Sequence, residues 1–399
     1  MTRGRKSLEA ARMYEQQMVR FLRDLIAIPA ESCREGDRCE RVRREYESLG
    51  FDEVFFDGLG TVVGRIGSGP FKILFDGHID CVGVGDVGAW DFDPFAGKHE
   101  DGEVWGRGAV DELPAIAGMA YGAKILKDRG MPEGVSLYLT ASVMEEDCDG
   151  YCMRHLIENE GIRPDAVVLG EPTDLAVFRG HRGRMEATIT THGVSAHGAH
   201  AERGVNALYK MAPIMTDVEA LNGRLADDAF LGKGSIIVSS IECTTPSLNA
   251  VPDSARIYID RRLTIGETVD SAMAELRALP HLGDAEVELL TYDAVSWRGT
   301  RAQQDKYYPT WVLDEDHSLV QGVAGAAAEV LGTPPEISRW HFSTNGVATM
   351  GLYEIPTVGF APGREELAHT TQERVSVEDL VKATAVYSLI PEVLAEQEK

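Results

Sequence analysis

Cysteine is scarce: six residues in 399, at Cys33, Cys39, Cys81, Cys148, Cys152 and Cys243. That is too sparse for a disulfide scaffold, and no second pair joins Cys148 and Cys152 to make a structural zinc site. A reduced, cytoplasmic protein is the expectation. Basic residues are also short, with 39 Lys+Arg against 64 Asp+Glu and a net charge of −25. Phosphate backbones need a basic footprint, so the balance argues against nucleic acid and against an anionic membrane surface as partners. No apolar run reaches the roughly 18 residues of a membrane span. The stretch Met1 to Arg23 is charged throughout and lacks the apolar core of a secretion signal. There is no GxSxG elbow, no HExxH and no Walker loop, so serine-hydrolase, zincin and P-loop readings lack support. Gly83-Val-Gly-Asp-Val-Gly88 has dinucleotide-binding spacing, but Trp90-Asp-Phe-Asp-Pro94 follows and opens no helix.

What is present is globular: 44% hydrophobic and 26% charged residues, in a chain long enough for its own core. The length suggests two or three domains at about 150 residues each. Residues 8–28 carry a helical apolar stripe that Pro29 stops, and a second helix runs from Cys39 to Leu49. Short β-like runs follow at Thr61–Val63 and Phe71–Phe75, then a helix over Ala115–Arg129. Val135–Met144 is apolar enough to be buried on both faces, and Asp165–Leu169 is a further strand. This alternation predicts an α/β architecture. The middle differs. Strands over 184–193, 235–242, 255–259 and 285–292 with helices over 206–221 and 268–279 predict a small α+β domain inserted over 183–297. The α/β pattern resumes after about residue 298, with helices at 319–331 and 377–390 and a strand at 357–360. The outer domain is therefore discontinuous, 1–182 and 298–399.

Acids and histidines stand where the predicted strands end. Phe71 to Asp80 runs into His78-Ile-Asp80, in which the carboxylate can hold the ring of a metal-bound histidine. A loop histidine bonded to a carboxylate for stability is the plain alternative. Gly106-Arg-Gly-Ala-Val-Asp111 puts an acid at the start of a helix, where Asp also serves simply as an N-cap. Glu145-Glu146-Asp147 follows the most apolar strand; three acids there repel unless a cation or proton offsets them, although charge runs are usually solvated loops. Glu171 closes the strand Asp165–Leu169, and His369 follows Gly359-Phe-Ala-Pro-Gly363. Strand C-termini are where open α/β sheets place ligands. Two histidines and three carboxylates match what two divalent ions sharing one carboxylate require, and a leftover Glu can serve as general base.

In this order, these five blocks resemble the co-catalytic zinc peptidases and deacylases: succinyl-diaminopimelate desuccinylase, acetylornithine deacetylase, aminoacylases and bacterial glutamate carboxypeptidase. The likeness spans essentially the whole chain. GHRGRME, VSAHGAHAERGVNA, FLGKG, IDRRLTIGET and FSTNGV are most similar to the YgeY-type, selenium-metabolism-linked branch. The resemblance implies a catalytic α/β domain with a mixed sheet, plus an inserted ferredoxin-like α+β domain acting as lid and dimerisation unit. It implies that His78, Asp111 and Glu171 hold one zinc and that Asp111, Glu146 and His369 hold the other, with cobalt or manganese able to substitute. It makes Asp80 the residue that orients His78 and Glu145 the base and later the acid. His197, in Gly193-Val-Ser-Ala-His197, would reach a neighbouring subunit's site and stabilise the oxyanion; His192 and His200 crowd the same stretch, so an ordinary surface histidine is the alternative. Asn249 and Arg262 would bind a substrate carboxylate, against the plain reading of a solvated strand, and Gly363 would sit in a loop closing over the substrate.

The sequence departs from that pattern in two places. Asp111 continues as Glu112-Leu113-Pro114, where many relatives have a lysine and glycines. Cys81 follows Asp80 where relatives often have Thr or Val, either as a small buried hydrophobe or as a redox-sensitive thiol. The expectation is a homodimeric hydrolase that cleaves an amide in a small substrate bearing a free carboxylate, as an N-acyl amino acid deacylase. A dipeptidase or carboxypeptidase, a non-catalytic metal-binding relative, and a serine- or cysteine-based hydrolase are the alternatives.

Overall fold

Strands apolar on both faces take the middle of a sheet. Phe71–His78 and Val135–Ser142 do so, side by side and parallel. The computed structural model describes residues 2–397. Its main sheet has nine strands. They run Glu53–Phe56, Val62–Gly67, Val135–Ser142, Phe71–His78, Ala166–Leu169, Thr357–Gly359, Val177–His181 and Trp311–Val312, with Ile337–Trp340 also paired to Val177–His181. The middle four are parallel and the flanking pairs antiparallel, except that Ile337–Trp340 runs parallel to Val177–His181, so the sheet is mixed. Helices Leu113–Arg129 and Val377–Tyr387 cover it and press close to each other. Gly122 permits that approach, since a Cβ there would lie 2.7 Å from Cβ of Tyr387.

The second sheet is antiparallel throughout, in the order Ser235–Thr244, Ser254–Leu263, Gly183–His192 and Glu286–Leu289, with Tyr307–Tyr308 added to Gly183–His192. Helices Ala207–Asn222 and Val269–Arg277 bury one face of it through Met211, Ile214 and Leu276, packed against Ile189, Ile257 and Ile259. This hydrophobic cluster is separate from that of the main sheet. The chain crosses between the sheets twice, at Arg182 and at Pro309–Thr310. The crossings lie together: Gly183 N–H donates to Thr310 Oγ1 (3.0 Å) and Trp311 Nε1–H donates to His181 Nε2 (2.7 Å).

Three expected elements are broken in two. The helix over 8–28 is Arg3–Met13 and Glu15–Ile26, joined at Tyr14. The break serves two partners, because the first half packs on Ser318–Leu331 and Val377–Tyr387 and the second on Leu113–Arg129. The helix over 377–390 stops at Tyr387 and restarts at Ile390–Gln397, with Pro391, which has no N–H to give, in its first turn. The strand over 285–292 ends at Leu289. Thr291–Val295 instead pairs with Arg301–Asp305 and buries Tyr292 in the main core. Cys148 and Cys152, four positions apart, do not share a helix: Cys148 precedes the helix Tyr151–Glu158. Among the described residues no helix is long and apolar enough to cross a membrane.

Candidate metal centre

The parallel strands Val135–Ser142, Phe71–His78, Ala166–Leu169 and Thr357–Gly359 are consecutive in the sheet and all point the same way. Residues just past their ends therefore converge. His78 ends one strand, Glu145 and Glu146 follow another, Glu171 lies two residues past the third, and the loop after the fourth carries His369. Asp111 joins them from the start of Leu113–Arg129. Two of these turns hold non-glycine residues in the left-handed region, Met144 (φ 64°) and His369 (φ 62°). Such conformations cost on the order of 1–3 kcal/mol each and gather at functional sites.

Asp111 is the centre of the cluster. Its Oδ1 lies 2.8 Å from Nε2 of His78 and its Oδ2 lies 2.9 Å from Nε2 of His369. Glu146 Oε2 stands 3.2 Å from His369 Nε2, and Glu171 Oε1 stands 3.8 Å from His78 Nε2. Glu145 Oε2 is 4.0 Å from His78 Nε2, while its other oxygen is buried without a partner, as is Oε2 of Glu171. His78 Nδ1 lies 2.9 Å from the backbone carbonyl of Asp80, which can only accept, so Nδ1 carries the proton. A neutral His78 then aims a lone pair at Asp111 Oδ1. That contact needs a proton or a cation between the two atoms.

The electrostatics say the same. Burial works against charge on His78, yet the surrounding Glu112, Asp111 and Glu145 carboxylates raise its pKa well above the usual value. His369 is raised to about 10 by its bonds to Asp111 and Glu146. Burial pushes the Glu145, Glu146 and Glu171 carboxyls up, helped by neighbouring acids, whereas the two histidines overcome the burial of Asp111 and hold it down. Acids packed this closely require positive charge among them. Imidazole nitrogens and carboxylate oxygens are suitable donors for divalent ions. His78 with Asp111 and Glu146, and His78 with Glu145 and Glu171, bring candidate donor atoms within 4.8 Å of one another, and His369 adjoins Asp111 and Glu146. The residues present fit a two-ion centre with Asp111 shared.

A surrounding layer fixes these groups. The Asp80 carboxylate accepts N–H of Glu145 (3.2 Å) and Glu146 (3.1 Å) and the hydroxyl of Ser32 (2.6 Å). It lies 3.6 Å from His78 Nδ1, so the backbone carbonyl makes the nearer bond to the ring. Glu373, fully buried and paired with Arg107 (2.7 Å), accepts N–H of Val110 (3.0 Å) and Asp111 (3.1 Å). Glu112 accepts the His78 N–H. Asn345 Nδ2–H donates to Asp76 (2.8 Å) and its Oδ1 accepts Gly150 N–H (2.8 Å). Sequence reasoning did not single out Glu373, Asn345 or the role of Glu112. Asn345 and Glu112 did lie inside stretches noted there, FSTNGV and the departure after Asp111.

The cluster opens into a cavity of about 360 Å³ whose lining also includes Asp149, Arg184, Arg262 and Glu365. Arg262 thus lies at the site, held bidentately by Asp260 (2.8 and 3.0 Å). Arg184, absent from the expected set, lies beside it and pairs with Asp149 (2.8 Å). Gly363 (φ 96°) is not among the residues lining the cavity; a Cβ there would come within 3.2 Å of Val110, the neighbour of Asp111. His197 and Asn249 are not brought there. Both are exposed on the second unit, adjacent to each other, with Gly198 N–H donating to the Asn249 carbonyl (2.7 Å). Cys81 is buried, its thiol pushed up to about 12 by desolvation, as suits a small hydrophobe.

The profile of Peptidase family M20/M25/M40 matches residues 74–392. Protein YgeY of Escherichia coli (strain K12) is 47% identical over 386 residues, covering 96% of each chain. The chain belongs to this peptidase family, and with it to the hydrolases. The succinyl-diaminopimelate desuccinylase of Magnetococcus marinus is 27% identical, covering 94% of this chain and 98% of that one. The crystal structure of Bacillus subtilis YxeP, a dinuclear metal-binding peptidase of the M20 family, shares the fold with a TM-score of 0.70 at 15% identity, covering 96% of this chain and 99% of that one.

Proposed function

We propose that the protein is a two-metal amidohydrolase that removes the acyl group from an N-acylated amino acid or similar small carboxylate. One observation carries the reading: a single carboxylate, Asp111, offers one oxygen to each of two histidines, with a further acid beside each. His78, Asp111 and Glu171 would hold one ion and Asp111, Glu146 and His369 the other, zinc suiting this donor set. Bound there, the ions supply charge that polarises the scissile carbonyl and acidifies water. Glu145, which lines the cavity, moves the proton: its carboxylate takes it from the attacking water and returns it to the leaving nitrogen. Asp80 keeps Glu145 and Glu146 in place through their N–H groups.

Arg262 and Arg184, which line the cavity, receive the substrate's free carboxylate. Residues 183–297 serve as lid and dimerisation unit. His197 and Asn249, exposed and outside the cavity of their own chain, complete the site of a second copy, where His197 stabilises the oxyanion. Asp149 and Glu365 on the same walls favour a second reading, a dipeptidase whose substrate amine they bind.

The test is elemental analysis together with activity, for wild type and Glu145→Ala, on a panel of N-acyl amino acids and dipeptides. About two metal ions per chain in both proteins, with activity only in wild type, is the expected result. The substrates turned over separate the deacylase from the dipeptidase. Protein that binds no metal after reconstitution with zinc or cobalt would refute the reading.

A further inference from the structure

A second cleft, of about 190 Å³, lies between the loop Pro29–Arg34 and the loop Cys81–Gly83, with Arg107 on its wall. It shares no lining residue with the metal cavity. Three guanidinium groups border it: Arg34, Arg38 and Arg107. In a chain of net charge −25 such a concentration is unusual, and its details are more so.

Arg38 is completely buried and has no carboxylate within salt-bridge distance among the described residues. Its Nε donates to the Ile28 carbonyl (2.8 Å) and its Nη1 to the Ile79 carbonyl (2.7 Å) and Cys81 Sγ (3.0 Å). Its Nη2 has no acceptor. Arg107 is 4% exposed; it pairs with Glu373 (2.7 Å) and reaches the Gly83 carbonyl (3.4 Å), leaving Nε without an acceptor. A buried guanidinium without a counter-charge is costly, because desolvation of a charge is repaid only by a paired opposite charge. Arg34 stands at the mouth with its side chain 79% exposed, next to Glu31 at 3.8 Å. That acid opposes an anion but is itself exposed; of the other acids adjoining the cleft, Glu373 is paired with Arg107 and Glu146 accepts the N–H of the lining residue Val82 (3.1 Å).

We propose that this cleft binds a small tetrahedral oxyanion of the phosphate or sulfate class. Arg38 and Arg107 line the cleft from inside, each with one N–H lacking an acceptor, and Arg34 closes over the ion from solvent. Three donor groups approaching from different residues suit an ion with oxygens on several sides better than a flat carboxylate. The volume admits a free oxyanion of this class. The site does not depend on the metal reading.

Calorimetric titration of the metal-loaded protein with sodium phosphate, sodium sulfate and sodium acetate tests it, using wild type, Arg34→Glu and Glu31→Gln. Both substituted side chains are exposed and outside the metal cavity, so folding and any phosphate bound at the metals are left alone. Phosphate and sulfate binding about tenfold weaker in Arg34→Glu, the scale of one charge-assisted contact, and tighter in Glu31→Gln, is expected. Anion density between Arg34 and Arg38 in crystals grown with selenate would agree. Equal phosphate affinity in all three proteins, or acetate binding as tightly as phosphate, would overturn the proposal.

Discussion

The two sheets of this molecule handle polar groups in opposite ways. In the main sheet, Val135–Ser142 and Ala166–Leu169 are buried along nearly their whole length, and helices shield the strands. These two strands carry no charge in their interiors, and the one acid within the neighbouring strand Phe71–His78, Asp76, is held by Thr140 and Asn345; the other acids collect beyond the strand ends, where the parallel arrangement gathers them in one place. In the second sheet the strands alternate. Ser254–Leu263 buries every second residue, and the edge strand Ser235–Thr244 is mostly open, with Ile237 55% and Ile241 46% exposed. That sheet buries one face under two helices and leaves the other as surface. One sheet gathers the acids and histidines; the other lends Arg184 and Arg262 to the cavity and otherwise presents a face, with His197 and Asn249 on that second unit outside the cavity.

The largest expected effect breaks the shared centre of the first region. Asp111→Asn removes the carboxylate that faces both histidines, and bound metal and activity should vanish together; elemental analysis beside turnover checks this. Retention of a full metal complement would mean that the ions do not share Asp111. Next comes a contrast between the sheets. Leu139→Ala, at a fully buried position of the main sheet, should cost about 2–5 kcal/mol. Ile241→Ala, on the open face of the second, should change stability by no more than about 0.5 kcal/mol. Urea unfolding of both variants measures the difference, and a large loss in Ile241→Ala would show that this face is covered in solution.

The smallest effect concerns the seam between the sheets. His181 is buried where the chain crosses, with Nδ1–H donated to the Arg182 carbonyl (2.8 Å) and Nε2 accepting from Trp311 and Thr344. Burial pushes its pKa down to about 4 from the usual 6.5. Between those values the unfolded chain binds more protons than the folded one, so the stabilisation present above pH 6.5 is lost as pH falls toward 4. Unfolding midpoints at a series of pH values should fall more steeply across that window for wild type than for His181→Gln. Parallel curves would remove His181 from the account.

Much of the main region was legible in the chain. His78, Glu145, Glu146 and Glu171 announce themselves because an apolar strand followed directly by an acid or histidine is a local pattern. Asp111 and His369 were harder, since an N-cap and a lone loop histidine look the same without their neighbours. Arg184, Asp149, Glu365 and Glu373 carried no local signal that set them apart. They reach the site from segments distant in sequence, and Glu373 is 262 positions from the Asp111 N–H it holds. The broken elements at Tyr14 and Leu290 were also hidden, because the amphipathic pattern continues across them while the packing partner changes.

By itself the sequence determined the α/β alternation, the separate character of the middle segment, and which strand ends carry potential ligands. These follow from side-chain periodicity and from the cost of burying charge within a strand, both local properties. Only the tertiary structure decided that one carboxylate of Asp111 faces two histidines, that the backbone carbonyl of Asp80 makes the nearer bond to His78, and that His197 and Asn249 lie outside the cavity of their own chain. Such facts depend on strand order and on how loops close in three dimensions, where a few ångströms separate a ligand from a bystander.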